Sequence, residues 1–101
     1  MKNNHVELNG KLTQDIQLTK NNNGNSYVRF SPACTRDGKK PWTDFISCVA
    51  FDEKAEELCR NNKKDTPYHI HGNLRTSTYE RNGQKVYSTS VVVEEIELTN
   101  D

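Results

Sequence analysis

The sequence predicts an all-β fold with one short helix, and three observations carry that prediction. Apolar residues recur with period 2 in every segment but one, glycines interrupt the alternation at inward positions, and only Asp52 to Asn62 adopts helical spacing. The chain has 101 residues, of which 32% are hydrophobic and 28% charged, with a mean hydropathy of -0.98. One domain over residues 1–101 is expected, which excludes a two-domain enzyme, and the composition disfavours a thick helical core.

The first strand places Val6, Leu8, Leu12, Ile16 and Leu18 on one side, with Gly10 where a further apolar side chain would stand. A glycine there marks a bend or a close backbone approach. Asn21 to Asn25, all turn formers, make the first loop. A second strand, Ser26 to Thr35, turns Val28 and Phe30 inward, and Pro32 removes a ladder donor, which implies an edge or a bulge. After the basic loop Arg36 to Pro41, the third strand runs from Trp42 to Phe51. Phe45, Ser47, Val49 and Phe51 lie on one face, and Ile46, Cys48 and Ala50 on the other.

The helix follows, with Asp52 as its expected N-cap, acids in its first turn and Ala55, Leu58 and Cys59 on its apolar side. In the fourth strand Tyr68, Ile70, Gly72, Leu74, Thr76 and Thr78 alternate with His69, His71, Asn73, Arg75, Ser77 and Tyr79. Asn82-Gly83 supplies a hairpin turn, and Val86 to Leu98 returns. Five strands with one helix between the third and fourth is the order of the OB-fold, a five-stranded Greek-key barrel whose glycines let long strands turn corners.

Such barrels bind ligands across strands 2 and 3 and the adjoining loops, single-stranded nucleic acid above all. The residue types required are aromatics for stacking and cations for phosphates. Trp42, Phe45 and Phe51 lie on or beside strand 3, Tyr79 and Tyr87 flank the hairpin turn, and Arg36, Lys39, Lys40, Arg75, Arg81 and Lys85 are interleaved with them. Spacing alone leaves Phe45, Phe51 and Trp42 open between core and platform; Phe30, Tyr27 and Tyr68 are read as core. Net charge is zero, 14 cations against 14 acids, but the acids concentrate in the helix and in Glu94, Glu95, Glu97 and Asp101. A locally positive face remains to steer a polyanion.

Cys34, Cys48 and Cys59 fit neither a disulfide framework nor a zinc clamp and are read as reduced thiols. His69 and His71, two apart on one strand, could chelate a transition metal if His5 or Cys34 added a third ligand, but the sequence places neither nearby. No metal and no cofactor are therefore expected. No nucleophile triad or phosphate loop appears, so no catalysis is expected. No apolar run nears the ~20 residues of a membrane span, and the opening Met1 to His5 lacks a signal peptide's apolar centre. A cytoplasmic location without a membrane partner is the expectation. Lys63-Lys64 reads as solvated loop charge.

The chain also resembles the bacterial single-stranded DNA-binding protein family. Val6-x-Leu8-x-Gly10-x-Leu12-Thr13-x-Asp15 is similar to its first strand, Ser26 to Phe30 to its second and Asp44 to Phe51 to its third. Gly72-Asn73-Leu74-Arg75-Thr76, Tyr79, Gly83, Tyr87 and Val91-Val92-Val93 resemble its closing hairpin. The resemblance implies stacking by Phe45, Phe51 and Tyr79, a groove cation at Arg75, and binding of single-stranded DNA in replication, recombination or repair. It further implies a nucleoid-associated homo-oligomer, a tetramer ahead of a dimer. Trp42 has no counterpart in it. Pro32, Ser77 and Thr78 depart from the pattern, as does a chain ending at Asp101 without the acidic, Phe-ended tip that recruits other enzymes. A dimeric primosomal-type OB protein acting through protein contacts stays open, as does an OB interaction module without a nucleic-acid role.

Overall fold

The computed structural model describes residues 3–63 and 65–99; Met1, Lys2, Lys64 and Asp101, all used above, lie outside them. In chain order the elements are β1 (Val6–Leu12), β2 (Thr19–Lys20), β3 (Ser26–Phe30), β4 (Ala33–Thr35), β5 (Thr43–Phe45) and β6 (Cys48–Phe51). The helix α1 (Asp52–Asn61) and the long strands β7 (Thr66–Arg81) and β8 (Gln84–Leu98) complete the chain.

All strands join one sheet in the order β2-β3-β6-β8-β7-β1-β4-β5. The five expected strands appear as eight because three of them are interrupted. The second splits at Ser31-Pro32 into β3, which pairs with β6, and β4, which pairs with β1. Pro32 has no N–H to give a ladder, and its ring is fully buried. The third splits at Ile46-Ser47 into β5 and β6. The first ends at Leu12, so Leu18, expected inside, is exposed. The hydrogen-bonded order thus begins and ends with pieces of the same strands, and the sheet curls into the five-stranded OB barrel. Its one parallel step, Cys48 opposite Val91, joins β6 to β8.

Inside lie Leu12, Val28, Phe30, Cys48, Ala50, Tyr68, Ile70, Val91 and Val93, with Ala55 and Leu58 of α1 closing one end. Each fully buried aliphatic side chain, such as Leu12, Val28 or Ile70, contributes roughly 1.5–3 kcal/mol. Two glycines make this curvature fit. A Cβ on Gly10 would stand 2.9 Å from Cys34 Sγ and 3.0 Å from Pro32 Cβ, where β1 crosses β4. A Cβ on Gly72 would run into the Val92 carbonyl, beside a bulge at which the β7/β8 register slips.

Asp52 does not cap α1. Phe51 flanks the helix without a side-chain cap bond, and Asp52 itself takes a left-handed φ of 53°, which swings the chain from strand to helix. The β1 ladder ends at Gly72 and the β6 ladder at Val91, opposite Leu74; beyond them β7 and β8 run on as a two-stranded arm ending at Asn82-Gly83, both at positive φ. Leu74, inward by alternation, sits at the barrel rim opposite Val91, past the end of the β1 ladder, and is 46% exposed.

Candidate nucleic-acid interface

Because Val28, Phe30, Cys48, Ala50 and Val91 point inward, strand alternation sends their neighbours to the outer face. Across β3, β6 and β8 that face carries Tyr27 opposite Phe51, then Arg29 opposite Val49, which is opposite Val92. Phe51 is 48% exposed. Tyr27, read as core above, lies half-buried on this outer face, and the Arg29 guanidinium sits 5.7 Å from its ring centroid, within cation–π range. Tyr27 and Arg29 are the residues that sequence reading passed over. The inward pair Val28 and Phe30 already implied their direction.

The face continues onto the arm. Ser47 Oγ lies 3.3 Å from Ser90 Oγ, and Ser90 is the register partner of Arg75, whose Nε donates to Asn73 Oδ1 at 2.8 Å. Tyr79 shares the side of Arg75 along β7 and stands opposite Val86. Tyr87, opposite Thr78, and Lys85, opposite Glu80, point to the other side of the arm. The arm therefore divides the expected residues: Arg75 and Tyr79 join the outer face, and Tyr87 and Lys85 do not.

Phe45 and Trp42 lie at the β4/β5 corner, 61% and 64% exposed, with Phe45 opposite Ala33. Arg36, expected to meet phosphate, is committed to Asp44 through two hydrogen bonds of 2.7 and 3.0 Å. That contact lowers the Asp44 pKa and raises that of Arg36, although both groups are solvent-washed and the pair is worth little. Lys39 and Lys40 are exposed in the same loop, with no ion-pair partner among the described residues.

A second constellation occupies the outer face of β1 and β7. Glu7 stands directly opposite His71, and Asn9 opposite His69. His69 Nε2 lies 2.6 Å from Glu7 Oε1, and its Nδ1 3.5 Å from Glu97 Oε1. The His69 hydrogen bond is the main cause holding the Glu7 carboxyl below its ordinary pKa. The His71 ring packs against His69 at 4.4 Å and His5 at 5.7 Å. His5 thus comes alongside His71 despite the length of chain between them; Cys34 stays away from the group.

Burial raises the pKa of all three thiols, Cys34, Cys48 and Cys59, that of Cys48 to about 12, so each ionises less readily than a free cysteine. Among the described residues no helix is long and apolar enough to cross a membrane.

The chain is similar to several known proteins. A Clostridium perfringens protein named single-stranded DNA-binding protein is 38% identical over 97 residues, covering 94% of this chain and 65% of that protein. A namesake from Fusobacterium nucleatum is 36% identical over 101 residues, covering 94% and 66%. Single-stranded DNA-binding protein 1 of Streptococcus agalactiae is 36% identical over 100 residues, covering 94% and 61%. The chain thus spans just under two thirds of the length of these relatives. The model of the single-strand binding protein family matches residues 3–99, nearly every residue placed in the fold above, and the chain belongs to that family.

Proposed function

We propose that this chain binds single-stranded DNA without sequence preference and protects it during replication, recombination or repair. The observation that carries the reading is the outer OB face, where Tyr27 and Phe51 pair beside Arg29 and lead through Ser90 to Arg75 and Tyr79. Flat rings there offer stacking worth roughly 1–3 kcal/mol per base, whatever the base, and the guanidinium groups neutralise phosphates. Phe45, Trp42, Lys39 and Lys40 extend the track around the β4/β5 corner. Family membership supports the same reading, as do the printed names of the relatives.

The role is binding rather than catalysis, and it calls for no cofactor. The chain acts as one OB-fold domain within a homo-oligomer, a tetramer ahead of a dimer, in the cytoplasm and associated with the nucleoid. The test is a fluorescence titration with oligothymidine and with duplex DNA across a salt series. Binding of the single strand, with a log–log salt slope of about -0.7 per phosphate contact, is expected. An affinity for oligothymidine that ignores salt, or equal affinity for duplex, would overturn the proposal.

A further inference from the structure

We propose that the outer face of β1 and β7 binds a Zn²⁺ ion through His5, Glu7 and His71, with His69 as the outer-shell residue that positions Glu7. The proposal is independent of DNA binding. Three ligand atoms, one from each of His5, Glu7 and His71, already lie within 4.8 Å of one another. Tetrahedral Zn²⁺ with bonds of about 2.0–2.1 Å needs its ligands about 3.3 Å apart, a closure that side-chain rotation supplies. Glu7 and His71 are direct cross-strand partners, so the ladder itself sets their spacing. His5, one residue before β1, completes the group from the same edge.

The surroundings favour this set over its neighbour. His69, His71 and Glu97 also approach one another, but His69 already has a carboxylate oxygen at each ring nitrogen, 2.6 Å from Glu7 and 3.5 Å from Glu97. Metal on His69 would break one of those contacts. Metal on His5, Glu7 and His71 keeps both, and the His69–Glu7 contact then orients a ligand, as outer-shell partners of metal sites do. Among the described residues no hydrogen bond engages the ring nitrogens of His5 or His71. A pocket of about 190 Å³ lined by His5, His71, Glu94 and Glu95 leaves room for water as fourth ligand. Two imidazoles and one carboxylate suit Zn²⁺, Ni²⁺ or Cu²⁺, not Mg²⁺ or Ca²⁺, which demand more oxygen ligands. The ion would clasp the first residues of β1 to β7 and stabilise the barrel along that seam.

The experiment uses the tag-free chain, stripped with EDTA and dialysed, titrated with Zn²⁺ by calorimetry and melted with and without the ion. One Zn²⁺ per chain is expected, together with a rise in melting temperature of at least about 5 °C at saturation. His5→Gln, which alters an exposed residue outside every strand, should abolish both, as should His71→Gln, with circular dichroism unchanged in each. His69→Asn should keep the stoichiometry and weaken affinity about 10–100-fold. Binding undiminished in His5→Gln would overturn the proposal. So would the same melting shift with Mg²⁺, or Co²⁺ substitution giving the charge-transfer band of a thiolate ligand.

Discussion

Tyr27 and Phe51 stand directly opposite each other across the β3/β6 ladder, both on the side away from the core. Phe51 leaves about half of its surface in water there, while Tyr27 is half-buried beside the Arg29 guanidinium. On the proposed function, an unpaired base lies across both rings.

Replacing either ring tests this. Tyr27→Ala and Phe51→Ala should each weaken oligothymidine binding by about 1–3 kcal/mol, with unfolding midpoints little changed. The double variant should lose less than the sum, because register partners share one contact. Tyr79→Ala should weaken binding in the same range, whereas Tyr87→Ala, on the other side of the arm, should cost well under 1 kcal/mol. Titration by fluorescence polarisation measures all of them; equal losses for Tyr79 and Tyr87 would disprove the one-sided track.

The two arginines should differ in their salt response. Arg75 lies on the outer row beside Ser90, and its removal should reduce the log–log slope by about 0.7. Arg36 is held by Asp44, so Arg36→Ala should change the slope by less than half as much. Equal changes would mean that the Asp44 contact gives way to phosphate.

Stability should fall in a fixed order among glycine variants. Gly72→Ala drives its new methyl into the backbone carbonyl of Val92, with Val91 Cγ1 2.9 Å away, and should cost about 3 kcal/mol. Gly10→Ala meets chiefly side-chain atoms of Cys34 and Pro32 and should cost about 1–2 kcal/mol. Gly24→Ala, with nothing around it but a φ of 83°, should cost about 1 kcal/mol. Urea unfolding measures the series.

Cys48 predicts an alkaline limit. Burial, aided by Cys34, pushes its folded pKa from the ordinary 9.0 to about 12, while the unfolded thiol keeps the ordinary value. Between those values the folded chain holds a proton that the unfolded chain releases, so stability falls as pH rises from about 9 toward 12. Cys48→Ala should show a shallower decline over that window in urea unfolding measured at successive pH values. An identical decline would mean that the thiol does not contribute.

Much of this was legible in the sequence, and the failures have physical causes. Alternation identified β1 and sorted the residues of β6 into two faces, helical spacing identified the apolar side of α1, and Asn82-Gly83 announced its turn. Pro32 signalled the break between β3 and β4, but the break at Ile46-Ser47 leaves no mark because the alternation passes straight through it. Leu74 has the right parity and the wrong surroundings, since parity gives the side and not what covers it. Tyr27 was drawn to the core by its bulk, although its neighbours Val28 and Phe30 had already claimed the inside. His5 was named with Cys34 as a candidate third ligand, but local reasoning could not place it: the pairing of Val6 with Gly72 is what brings it beside His71.

The passages from β3 to β4 through Ser31-Pro32 and from β5 to β6 through Ile46-Ser47 are two short covalent tethers between the ends of the hydrogen-bonded order. New termini cut at Ser31-Pro32 would leave the ring held by the β5-to-β6 link alone, and such a circular permutant should be markedly less stable than the parent in urea unfolding. A cut within Asn21 to Asn25, which leaves every other pairing in place, is where a permuted chain should survive.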